Sequence, residues 1–478
     1  MTKAKTLLVV FIFVASTSFG QNCNCEKNFE WVKKTFEEND AGFQYALDVK
    51  GKQAYETYNK NILQKVKSIS ESEECTKLLF EWLTFFRAGH IAIRPLENNN
   101  LNTTKTIEKP NNNWEIIKTS TADFEKYLNT NKIADYEGIW ETGQYKIGIK
   151  KVGQSYVGFI IETSAENWKQ GDVKFKFDDK KGTFFLRDKS AEDITNVMAI
   201  GKNYLQLGRF LLKRLLPKYE TEKSVETYLK LINSPRPYVE EINASTLLLR
   251  IPSFDGSQKK VIDSVILANK SKILKTENLI IDLRNNGGGS DNSFDEIIPF
   301  LYTNPIRVVG VEMLSTKLNN QRMLDFINKP EFGLGAEGKK WAKASYDTLE
   351  KHLGSFVNLD TTKISIQKLD TVYTYPKNVG IIIHKGNGST TEQFLLAAKQ
   401  SKKVKLFGTT TFGVLDISNM NFVKSPCNEF ELGYSLSKSF RIPNMTIDSK
   451  GIQPDYFLDN GIEEYEWLDY ATKILKEK

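Results

Sequence analysis

One serine of the chain stands where a buried strand is predicted to turn into a helix. Residues 386–392 read GNGSTTE, so Ser389 follows a Gly-Asn-Gly turn and precedes the apolar, helix-like residues 394–398. A serine at the start of a helix lies at the positive end of the helix dipole. Neighbouring N–H groups there can stabilise a negative charge that develops on a reacting carbonyl. The position therefore suits a nucleophile for acyl transfer.

The same serine also has a purely structural interpretation. Ser389 and Glu392 match the Ser-x-x-Glu capping box, in which both side chains only satisfy backbone N–H groups at a helix start. Taken without its surroundings, the pattern favours this cap. Both interpretations require a serine at a helix N-terminus, so the choice between them depends on the other polar segments of the chain.

A second segment places three glycines at the end of a strand. Residues 281–289 read IDLRNNGGG. Glycines allow backbone conformations that other residues avoid, and they leave N–H groups open to an anion or a carbonyl oxygen. The segment fits an oxyanion hole, a phosphate cradle or a plain tight turn. It lacks the Gly-Lys-Ser/Thr of a Walker loop and the G-x-G-x-x-G spacing of a dinucleotide loop.

Two further segments offer a base and an acid. His90 ends the segment RAGH and is one of only three histidines in the chain. Histidine is the usual base for a serine nucleophile, although a lone histidine after a helix is more often structural. Asp448 lies in the segment IDSKGIQPD, residues 447–455. Carboxylates beside glycine and proline usually build turns, but they can also orient a catalytic histidine.

Together these segments resemble the tail-specific (C-terminal-processing) serine proteases, peptidase family S41. DLRNNGGG is similar to the family motif Asp-Leu-Arg-x-Asn-x-Gly-Gly, and GSTTE to its Ser-Ala-Ser-Glu nucleophile segment. Gly408 with residues 411–413 resembles the Gly-x-x-Thr-Phe-Gly turn, and residues 451–455 resemble the Gly-Ile-x-Pro-Asp ending. The four motifs follow the family order within residues 242–457, a little under half of the chain.

The resemblance assigns a nucleophile and a base. Many family members use a lysine directly after Thr-Phe-Gly as the base, but Val414 occupies that position here. Gly89-His90 is similar to the Asp-Gly-His segment of the tricorn-like branch, which combines a serine with an upstream histidine and a downstream acid. The resemblance is thus closer to that branch, and it implies Ser389 as the nucleophile and His90 as the general base.

The resemblance also implies the rest of the site. Asp448 stands where the tricorn-like branch has its acid, usually a glutamate, and would orient His90. The N–H groups of Gly288 and Thr390 would hold the oxyanion. The implied reaction is hydrolysis of peptide bonds in exported proteins or peptides through an acyl-enzyme on Ser389, without a cofactor.

The implied fold is α/β, with a ClpP/crotonase-like mixed α/β core. Strand-like runs near residues 246–251, 279–283, 379–383 and 404–407 are separated by helix-like stretches, as an α/β core requires. Four regions are predicted: a signal peptide at 1–20, an N-terminal helical region carrying His90 at 21–108, a β-rich module in place of a clear PDZ domain at 109–241, and a protease core with a C-terminal helix at 242–478.

Local patterns predict the elements before the core. Residues 75–86 carry apolar side chains on one helical face, and His90 to Ile93 has the pattern of a short strand. An asparagine-rich connection follows, including residues 98–100 and 111–113. Alternating apolar residues predict a β-meander over 138–188, and a helical pattern returns near 204–215.

The N-terminus and the cysteines point to export. Lys3 and Lys5 precede a short apolar run and small residues, which is the layout of a signal peptide, with cleavage expected after Gly20. We expect a periplasmic or extracellular location and no stable membrane insertion after cleavage. Disulfides are permitted there, and either Cys23 or Cys25 could bridge to Cys75, which would leave Cys427 as a buried thiol.

Composition excludes some classes of function. The formal charge is +7, but acidic and basic residues are interleaved without a basic run, so no nucleic-acid partner is predicted. The spacing of cysteines and histidines fits no zinc site, and no metal is predicted.

The chief alternative to a peptidase is a non-catalytic protein on the same fold that binds a peptide or hydrophobic ligand, since the resemblance extends to a retinoid-binding relative. A polysaccharide-binding protein would need exposed aromatics in the β-rich module.

Overall fold

The computed structural model describes residues 24–96, 114–130, 136–178, 180–458 and 461–477. The predicted signal peptide and the asparagine-rich connection lie outside these residues. The α-helices in the described part are α1 Cys25–Asn39, α2 Phe43–Lys50, α3 Lys52–Val66, α4 Ser72–Thr84, α5 Thr121–Thr130, α6 Lys223–Asn233, α7 Lys259–Ile273, α8 Ile298–Leu301, α9 Lys317–Asn328, α10 Ala336–Leu349, α11 Thr390–Ala398 and α12 Trp467–Lys476.

The strands in the same residues are β1 Ala92–Pro95, β2 Gly138–Thr142, β3 Tyr145–Val152, β4 Ser155–Thr163, β5 Val173–Phe177, β6 Gly182–Phe185, β7 Ala191–Ile194, β8 Val197–Ile200, β9 Tyr204–Leu207, β10 Phe210–Leu216, β11 Tyr238–Asn243, β12 Thr246–Arg250, β13 Asn278–Asp282, β14 Ile306–Val309, β15 Val311–Leu314, β16 Phe356–Val357, β17 Ile364–Gln367, β18 Asn378–Ile383, β19 Val404–Gly408, β20 Ile417–Lys424, β21 Phe430–Ser439 and β22 Tyr456–Phe457. The mixed α/β fold class is therefore as predicted.

The chain forms two compact units whose limits differ from the predicted regions. The first unit contains the described residues within 1–99, 309–365 and 416–449, and the second contains those within 100–308, 366–415 and 450–478. Two segments of the predicted core thus belong with the N-terminal region. Strand pairing is the reason, because β21 pairs antiparallel with β1 through Ala92↔Gly433. Local patterns do not reveal such pairing between residues more than 300 positions apart.

A six-stranded sheet forms the core of the second unit. Its order is β11-β12-β13-β18-β19-β22, with β11 antiparallel and the other strands parallel. Parallel neighbours need crossover connections, and α7 supplies one between β12 and β13 while α11 supplies another between β18 and β19. The central strands β12, β13 and β18 are almost wholly buried, which explains their continuous apolar runs.

The β-rich module is a nine-stranded antiparallel sheet in the same unit. Its order is β7-β6-β5-β4-β3-β2-β10-β9-β8. The rings of Phe184 on β6 and Phe210 on β10 stack with centroids 3.8 Å apart, although four strands separate these two in the sheet order, so the sheet curls around its aromatic core. The alternating aromatics of the module are mostly buried in this core. They do not form the exposed platform that polysaccharide binding would need.

The predicted helix near residues 204–215 is wrong. The segment forms β9 and β10, which pair as a hairpin through Phe210↔Leu207. The spacing of apolar residues in this segment fits one face of a helix, but it also fits a short hairpin whose two strands are partly buried. Pairing with the neighbouring strands of the sheet favours the hairpin. The helix-like stretch after the glycine cluster is only a 3₁₀ turn, Asp291–Phe294, followed by the four-residue α8.

A five-stranded antiparallel sheet and four N-terminal helices build the first unit. β21 lies at the centre and pairs with β1, β15 and β20. Helix α1 begins at the cap residue Asn24, whose side chain accepts a 2.9 Å hydrogen bond from the N–H of Lys27. Its buried face packs with Trp82 of α4 and with Leu432 and Tyr434 of β21. His90 lies two residues before β1, so this sheet helps to fix its position.

The cysteines form disulfides in the first unit. Cys25 on α1 is bonded to Cys75 on α4, which is one of the two predicted pairings. The prediction of a buried thiol at Cys427 is wrong, because Cys427 is only partly buried and is itself disulfide-bonded. Sequence position could not reveal that bond. Among the described residues, no helix is long and apolar enough to cross a membrane.

Candidate active site

Two loops of the second unit meet at one edge of the parallel sheet. β13 and β18 are parallel neighbours, with Asp282 opposite Ile382. The carboxyl ends of adjacent parallel strands lie at the same edge, which is where α/β proteins place their ligand sites. The glycine-rich loop after β13 and the serine loop after β18 are therefore brought together, as an interacting pair requires.

Ser389 adopts a strained backbone conformation immediately before α11. Its φ is 55° and its ψ is −126°, and its side chain makes no hydrogen bond to the helix start. A cap serine has an extended backbone and accepts a hydrogen bond from the helix. A non-glycine residue in the conformation of Ser389 costs on the order of 1–3 kcal/mol, and such strain concentrates at functional sites. A sharp strand-to-helix turn of this kind exposes a nucleophilic hydroxyl.

Glu392 joins the start of α11 to the Thr-Phe-Gly turn. Its fully buried carboxylate accepts hydrogen bonds from the hydroxyl of Thr411 and from the N–H groups of Gly413 and Val414, at 2.7 and 2.9 Å for the two N–H groups. The carboxylate therefore fixes the Thr-Phe-Gly turn against the start of α11. The side chain of Ser389 makes no cap hydrogen bond, so its half of the predicted capping box is not formed.

Two buried asparagines join the two loops. The Asn387 amide donates to the carbonyl oxygens of Leu283 and Asn286, at 2.6 and 2.9 Å. The Oδ1 atom of Asn286 accepts hydrogen bonds from the hydroxyl of Thr391 at 2.9 Å and from the N–H of Gly288 at 3.1 Å. Both asparagines are fully buried. Their bonds fix the distance between the glycine loop and the nucleophile.

Gly288 approaches Ser389 so closely that only glycine fits. A Cβ atom at Gly288 would lie 2.7 Å from the carbonyl oxygen of Gly388 and 2.9 Å from the Cβ of Ser389, and its φ is 108°. The N–H of Gly288 is engaged by Asn286, whereas the N–H of Thr390 has no acceptor among the described residues. Of the two predicted oxyanion donors, Thr390 is thus the one with a free N–H.

The Gly-Ile-Gln-Pro-Asp segment, residues 451–455, holds the Thr-Phe-Gly turn in place. Gly451 packs so tightly on the carbonyl oxygen of Thr411 that an added Cβ would lie 2.2 Å away. The N–H of Ile452 donates to the Thr411 hydroxyl at 2.7 Å, and the Asp455 carboxylate accepts from the N–H of Leu406 on β19. These residues hold the Thr-Phe-Gly turn, and through Glu392 they hold the start of α11.

The Asp-Leu-Arg segment has a structural role. The fully buried Asp282 binds Arg284 and Arg250, at 2.6 and 3.2 Å between the charged groups. Burial alone would raise the pKa of Asp282, but the two guanidinium groups more than offset it and hold the pKa below its ordinary value. A paired, buried network of this kind fixes the end of β13, from which the glycine loop starts.

His384, which sequence reasoning missed, also joins the two loops. Its Nε2 atom lies 2.9 Å from Oδ1 of Asn285, and its Nδ1 atom accepts from the N–H of Gly386 at 3.1 Å. Burial lowers the pKa of His384 below its ordinary value, with a further lowering from Arg284. The N–H of Asn285 also lies 3.2 Å from Nε2, so both ring nitrogens of His384 contact the two loops. Its position directly after an apolar strand and two residues before the Gly-Asn-Gly-Ser segment was the available signal.

The predicted base, His90, lies in the first unit. Its Nδ1 atom is 2.7 Å from the carbonyl oxygen of Ile417. Because a carbonyl oxygen only accepts, Nδ1 carries the proton and Nε2 keeps its lone pair. Burial lowers the pKa of His90, and the positive charge of Arg87 lowers it further, against the opposing effects of Ile417 and Asp40. The ring is thus neutral and suited to accept a proton at neutral pH.

Arg87 fixes the loop that carries His90. Its guanidinium binds the buried carboxylate of Asp40 with two hydrogen bonds, and it donates to the carbonyl oxygens of Gly89 and His90 at 3.1 and 2.9 Å. His90 has a φ of 53°, so its backbone is also strained. The bidentate ion pair supports this conformation.

Asp448 supports His90 indirectly, not by direct contact with its ring. Its carboxylate accepts from the N–H groups of Asp416 and Ile417, at 2.7 and 3.2 Å. Asp416 in turn accepts from the N–H of Asp448 and binds Arg441 at 2.6 Å. The group that contacts His90 Nδ1 is the Ile417 carbonyl, so the predicted orienting role of Asp448 changes to one exerted through the backbone of Ile417.

The five predicted site residues therefore fall into two groups. Ser389, Gly288 and Thr390 lie together in the second unit, and His90 and Asp448 lie together in the first. In the described part of the chain, no group of three or more histidine, cysteine, aspartate or glutamate side chains could hold a metal ion.

Known structures share the fold. The structure titled "Structure of mature CPAF complexed with lactacystin" is similar to this chain with a TM-score of 0.52 and 13% identity, over 95% of this chain and 97% of that chain. A second structure, of mature CPAF, is similar with a TM-score of 0.51 and 11% identity, over 95% and 96% of the two chains. No curated protein matches the sequence.

A family model extends these findings from fold to chemistry. Residues 245–458 match the model described as "Peptidase family S41". The matched segment contains both loops described above, from the glycine cluster to the Gly-Ile-Gln-Pro-Asp segment. The match thus places residues 245–458 with Peptidase family S41, and the chain is a serine-type peptidase.

Proposed function

We propose that the chain hydrolyses peptide bonds of exported proteins or peptides, with Ser389 as the nucleophile and His90 as the general base. The observation that carries the proposal is the conformation of Ser389. Its backbone is strained, its hydroxyl makes no cap hydrogen bond, and it directly precedes the free N–H of Thr390. A helix cap explains neither the strain nor the missing cap hydrogen bond, whereas a nucleophile on a sharp strand-to-helix turn is consistent with all three features.

The mechanism follows from the hydrogen bonds of each group. His90 Nε2 takes the proton of Ser389 as Oγ attacks the carbonyl carbon, and the ring then protonates the leaving amine. The N–H of Thr390 stabilises the oxyanion as the first donor. The N–H of Gly288 becomes the second donor when its hydrogen bond to Asn286 Oδ1 breaks and a hydrogen bond to the oxyanion forms. Water then attacks the acyl-enzyme, with His90 again as the base.

Labelling with a serine-reactive phosphonate tests the two assignments. The wild-type protein should react covalently at one site, and Ser389→Ala should not react. His90→Ala should react at least 100-fold more slowly, because loss of a general base typically removes a factor of about 10²–10⁴. Labelling that persists in Ser389→Ala would refute the nucleophile. Unchanged labelling in His90→Ala would refute the base, and a wild-type protein that never reacts would favour a non-catalytic binding protein.

Export is the second part of the proposal. The disulfide between Cys25 and Cys75, together with the disulfide-bonded Cys427, supports a location in an oxidising compartment. Cell fractionation and N-terminal sequencing of the mature protein test this part. A mature chain that starts at Gln21 in the periplasmic or extracellular fraction is expected. A full-length chain with free thiols in the cytoplasm would contradict export.

A further inference from the structure

A cavity of about 350 Å³ lies within the first unit. Helices α9 and α10 and strands β15 and β21 contribute its walls. Its lining is mainly apolar and includes Met313, Met323, Phe326, Leu334, Trp341 and Leu436. This volume is at the lower end of the range of about 300–1,000 Å³ for small-molecule sites, and a mostly apolar wall with a few polar groups is typical of such sites.

One cation lines this cavity. Arg322 on α9 is partly buried, and its guanidinium lies over the rings of Phe326 and Phe332, 5.5 and 5.3 Å from their centroids. Within the described residues, Arg322 makes no ion pair, and its guanidinium donates only to the carbonyl oxygen of Met420. Burial lowers the pKa of Arg322 from its ordinary value, and the group stays charged because guanidinium pKa values are very high.

Among the described residues, no acid at the cavity forms an ion pair with Arg322, although the negative charge of Asp325 acts on it and raises its pKa. Asn419 is committed to the hydroxyl of Ser437 by a 2.7 Å hydrogen bond. Asp360 is exposed and makes no ion pair among the described residues. The nearest acid along α9, Asp325, is paired with Lys329 at 2.9 Å. A partly desolvated guanidinium with unused N–H groups in an apolar cavity is complementary to a carboxylate on an apolar body.

We propose that this cavity binds a small apolar carboxylate, whose carboxylate pairs with Arg322 while its apolar part fills the space between α9, α10 and the sheet. Two sources share this chemistry: a medium-chain fatty acid and the free C-terminus of an apolar peptide. The site is independent of the proposed peptidase mechanism, because all of its residues lie in the first unit and none is Ser389, His90 or Asp448.

Calorimetric titration tests the proposal with two defined probes. Octanoate represents the fatty acid, and N-acetyl-leucyl-leucine with a free carboxylate represents the peptide end. Their neutral counterparts, octanamide and the dipeptide amide, serve as probes without charge. The measurements use the full mature chain carrying Ser389→Ala, so that a peptide probe is not consumed and the outcome does not depend on catalysis.

Three variants separate the contribution of Arg322 from general effects. Arg322→Gln should weaken binding of the charged probe about tenfold or more, because a hydrogen bond between charged groups contributes about 1.5–3 kcal/mol. Leu334→Glu, which adds a negative charge to the cavity wall, should weaken it as well. Arg209→Gln is the matched control, since Arg209 is exposed in the β-rich module and pairs only with Glu192. The neutral probes should not distinguish Arg322→Gln from the parent.

The results are decisive in either direction. Saturable binding of either acid that depends on both its carboxylate and Arg322 supports the proposal, and the tighter probe identifies the source. No saturable binding of either acid by a folded parent chain, or equal affinity in the parent and Arg322→Gln, overturns it. Thermal unfolding of each variant checks that the first unit is intact. If Arg322→Gln fails to fold, the parent's preference for octanoate over octanamide decides the question.

Discussion

The Nδ1 atom of His90 lies 2.7 Å from the carbonyl oxygen of Ile417. This contact sets the tautomer of the ring, because a carbonyl oxygen only accepts and Nδ1 must therefore donate. The lone pair of Nε2 is then available to a substrate proton. A backbone carbonyl thus performs the orienting function that the sequence pattern assigned to the carboxylate of Asp448. The carboxylate acts one step further away, on the N–H of Ile417.

The first prediction concerns pH. Burial and Arg87 lower the pKa of His90 below 6.5, so the ring stays neutral to a lower pH than a free histidine does. The rate constant for labelling of Ser389 should therefore be constant near neutral pH and should fall only below pH 6.5, as His90 becomes protonated. Labelling measured between pH 4 and pH 8 gives this profile. A midpoint above 6.5 would contradict the neutral, buried His90.

His384 is the control for this profile, because its pKa is also lowered. Removal of its ring should reduce the labelling rate at all pH values, since the bond to Gly386 is lost. The position of the acidic limb should stay unchanged in His384→Gln if the limb reports His90. A limb that disappears in this variant would assign the titration to His384 instead.

The second prediction separates the strain at Ser389 from its chemistry. Ser389→Gly and Ser389→Ala both remove the hydroxyl and should both abolish labelling. Only glycine relieves the φ of 55°. Ser389→Gly should therefore be more stable than Ser389→Ala by about 1 kcal/mol, after the larger chain entropy of glycine is taken into account. Urea unfolding of the two variants measures the difference. Equal stability would show that the surrounding structure does not hold Ser389 under strain.

The third prediction uses a pair of neighbouring glycines. Gly288→Ala should abolish labelling and destabilise the second unit by about 1–3 kcal/mol, because its Cβ would lie 2.7 Å from the carbonyl oxygen of Gly388. Gly287→Ala is the matched control, since the nearest atom to its Cβ is 3.9 Å away and its φ is not positive. Labelling rate and unfolding midpoint are measured for both. Similar losses in the two variants would show that any side chain in this loop is harmful, and that the contact with Ser389 is not the cause.

The fourth prediction concerns the disulfide that closes a loop between residues 25 and 75. A sequence separation of 50 residues implies a contribution of about 2–4 kcal/mol to stability, chiefly through the unfolded chain. The double variant Cys25→Ser with Cys75→Ser should therefore unfold at a lower urea concentration under oxidising conditions. It should keep the labelling rate of the wild type, because the bond joins α1 to α4, whereas His90 is held by hydrogen bonds with Arg87 and Ile417. A labelling rate that falls before unfolding begins would argue against this separation.

The sequence predicts the parallel core well because its central strands are nearly continuous apolar runs. β12, β13, β18 and β19 each begin or end within about a residue of their predicted limits. The nucleophile loop was identified by a motif, but its key feature, the backbone of Ser389, is set by contacts with Gly288 and cannot be read from residue types. The pattern of the hairpin β9–β10 resembles that of a helix, because the helical period and the strand period place apolar residues at similar intervals in so short a segment.

The sequence pattern does not predict how the first unit is assembled, because its strands pair over long distances in the chain. Its sheet joins β1 to strands that lie more than 200 residues later, and its helices α9 and α10 interrupt the segment assigned to the core. Long-range pairing leaves no local pattern. The same limit explains Asp448, whose position in a motif suggested direct contact with His90. Only the fold shows that Ile417 comes between them.

The last prediction distinguishes a direct from an indirect acid at Asp448. Replacing an aspartate that binds the catalytic histidine directly lowers the rate by about 10⁴ in a serine protease. Asp448 instead accepts two backbone N–H groups, and loss of one charge-assisted hydrogen bond costs about 1.5–3 kcal/mol. Asp448→Asn should therefore label about 10- to 100-fold more slowly, because Ile417 and the ring of His90 become less well fixed.

The pH profile provides the matching control for Asp448→Asn. An indirect role leaves the tautomer of His90 unchanged, so the acidic limb of labelling should keep its position while the plateau falls. Asp416→Asn should behave in the same way, because Asp416 holds the backbone of Asp448 and pairs with Arg441. A loss near 10⁴, or a limb that moves to lower pH when the carboxylate is removed, would instead show that Asp448 interacts with the imidazolium during the reaction. The Ile417 carbonyl would then be only a resting partner of His90.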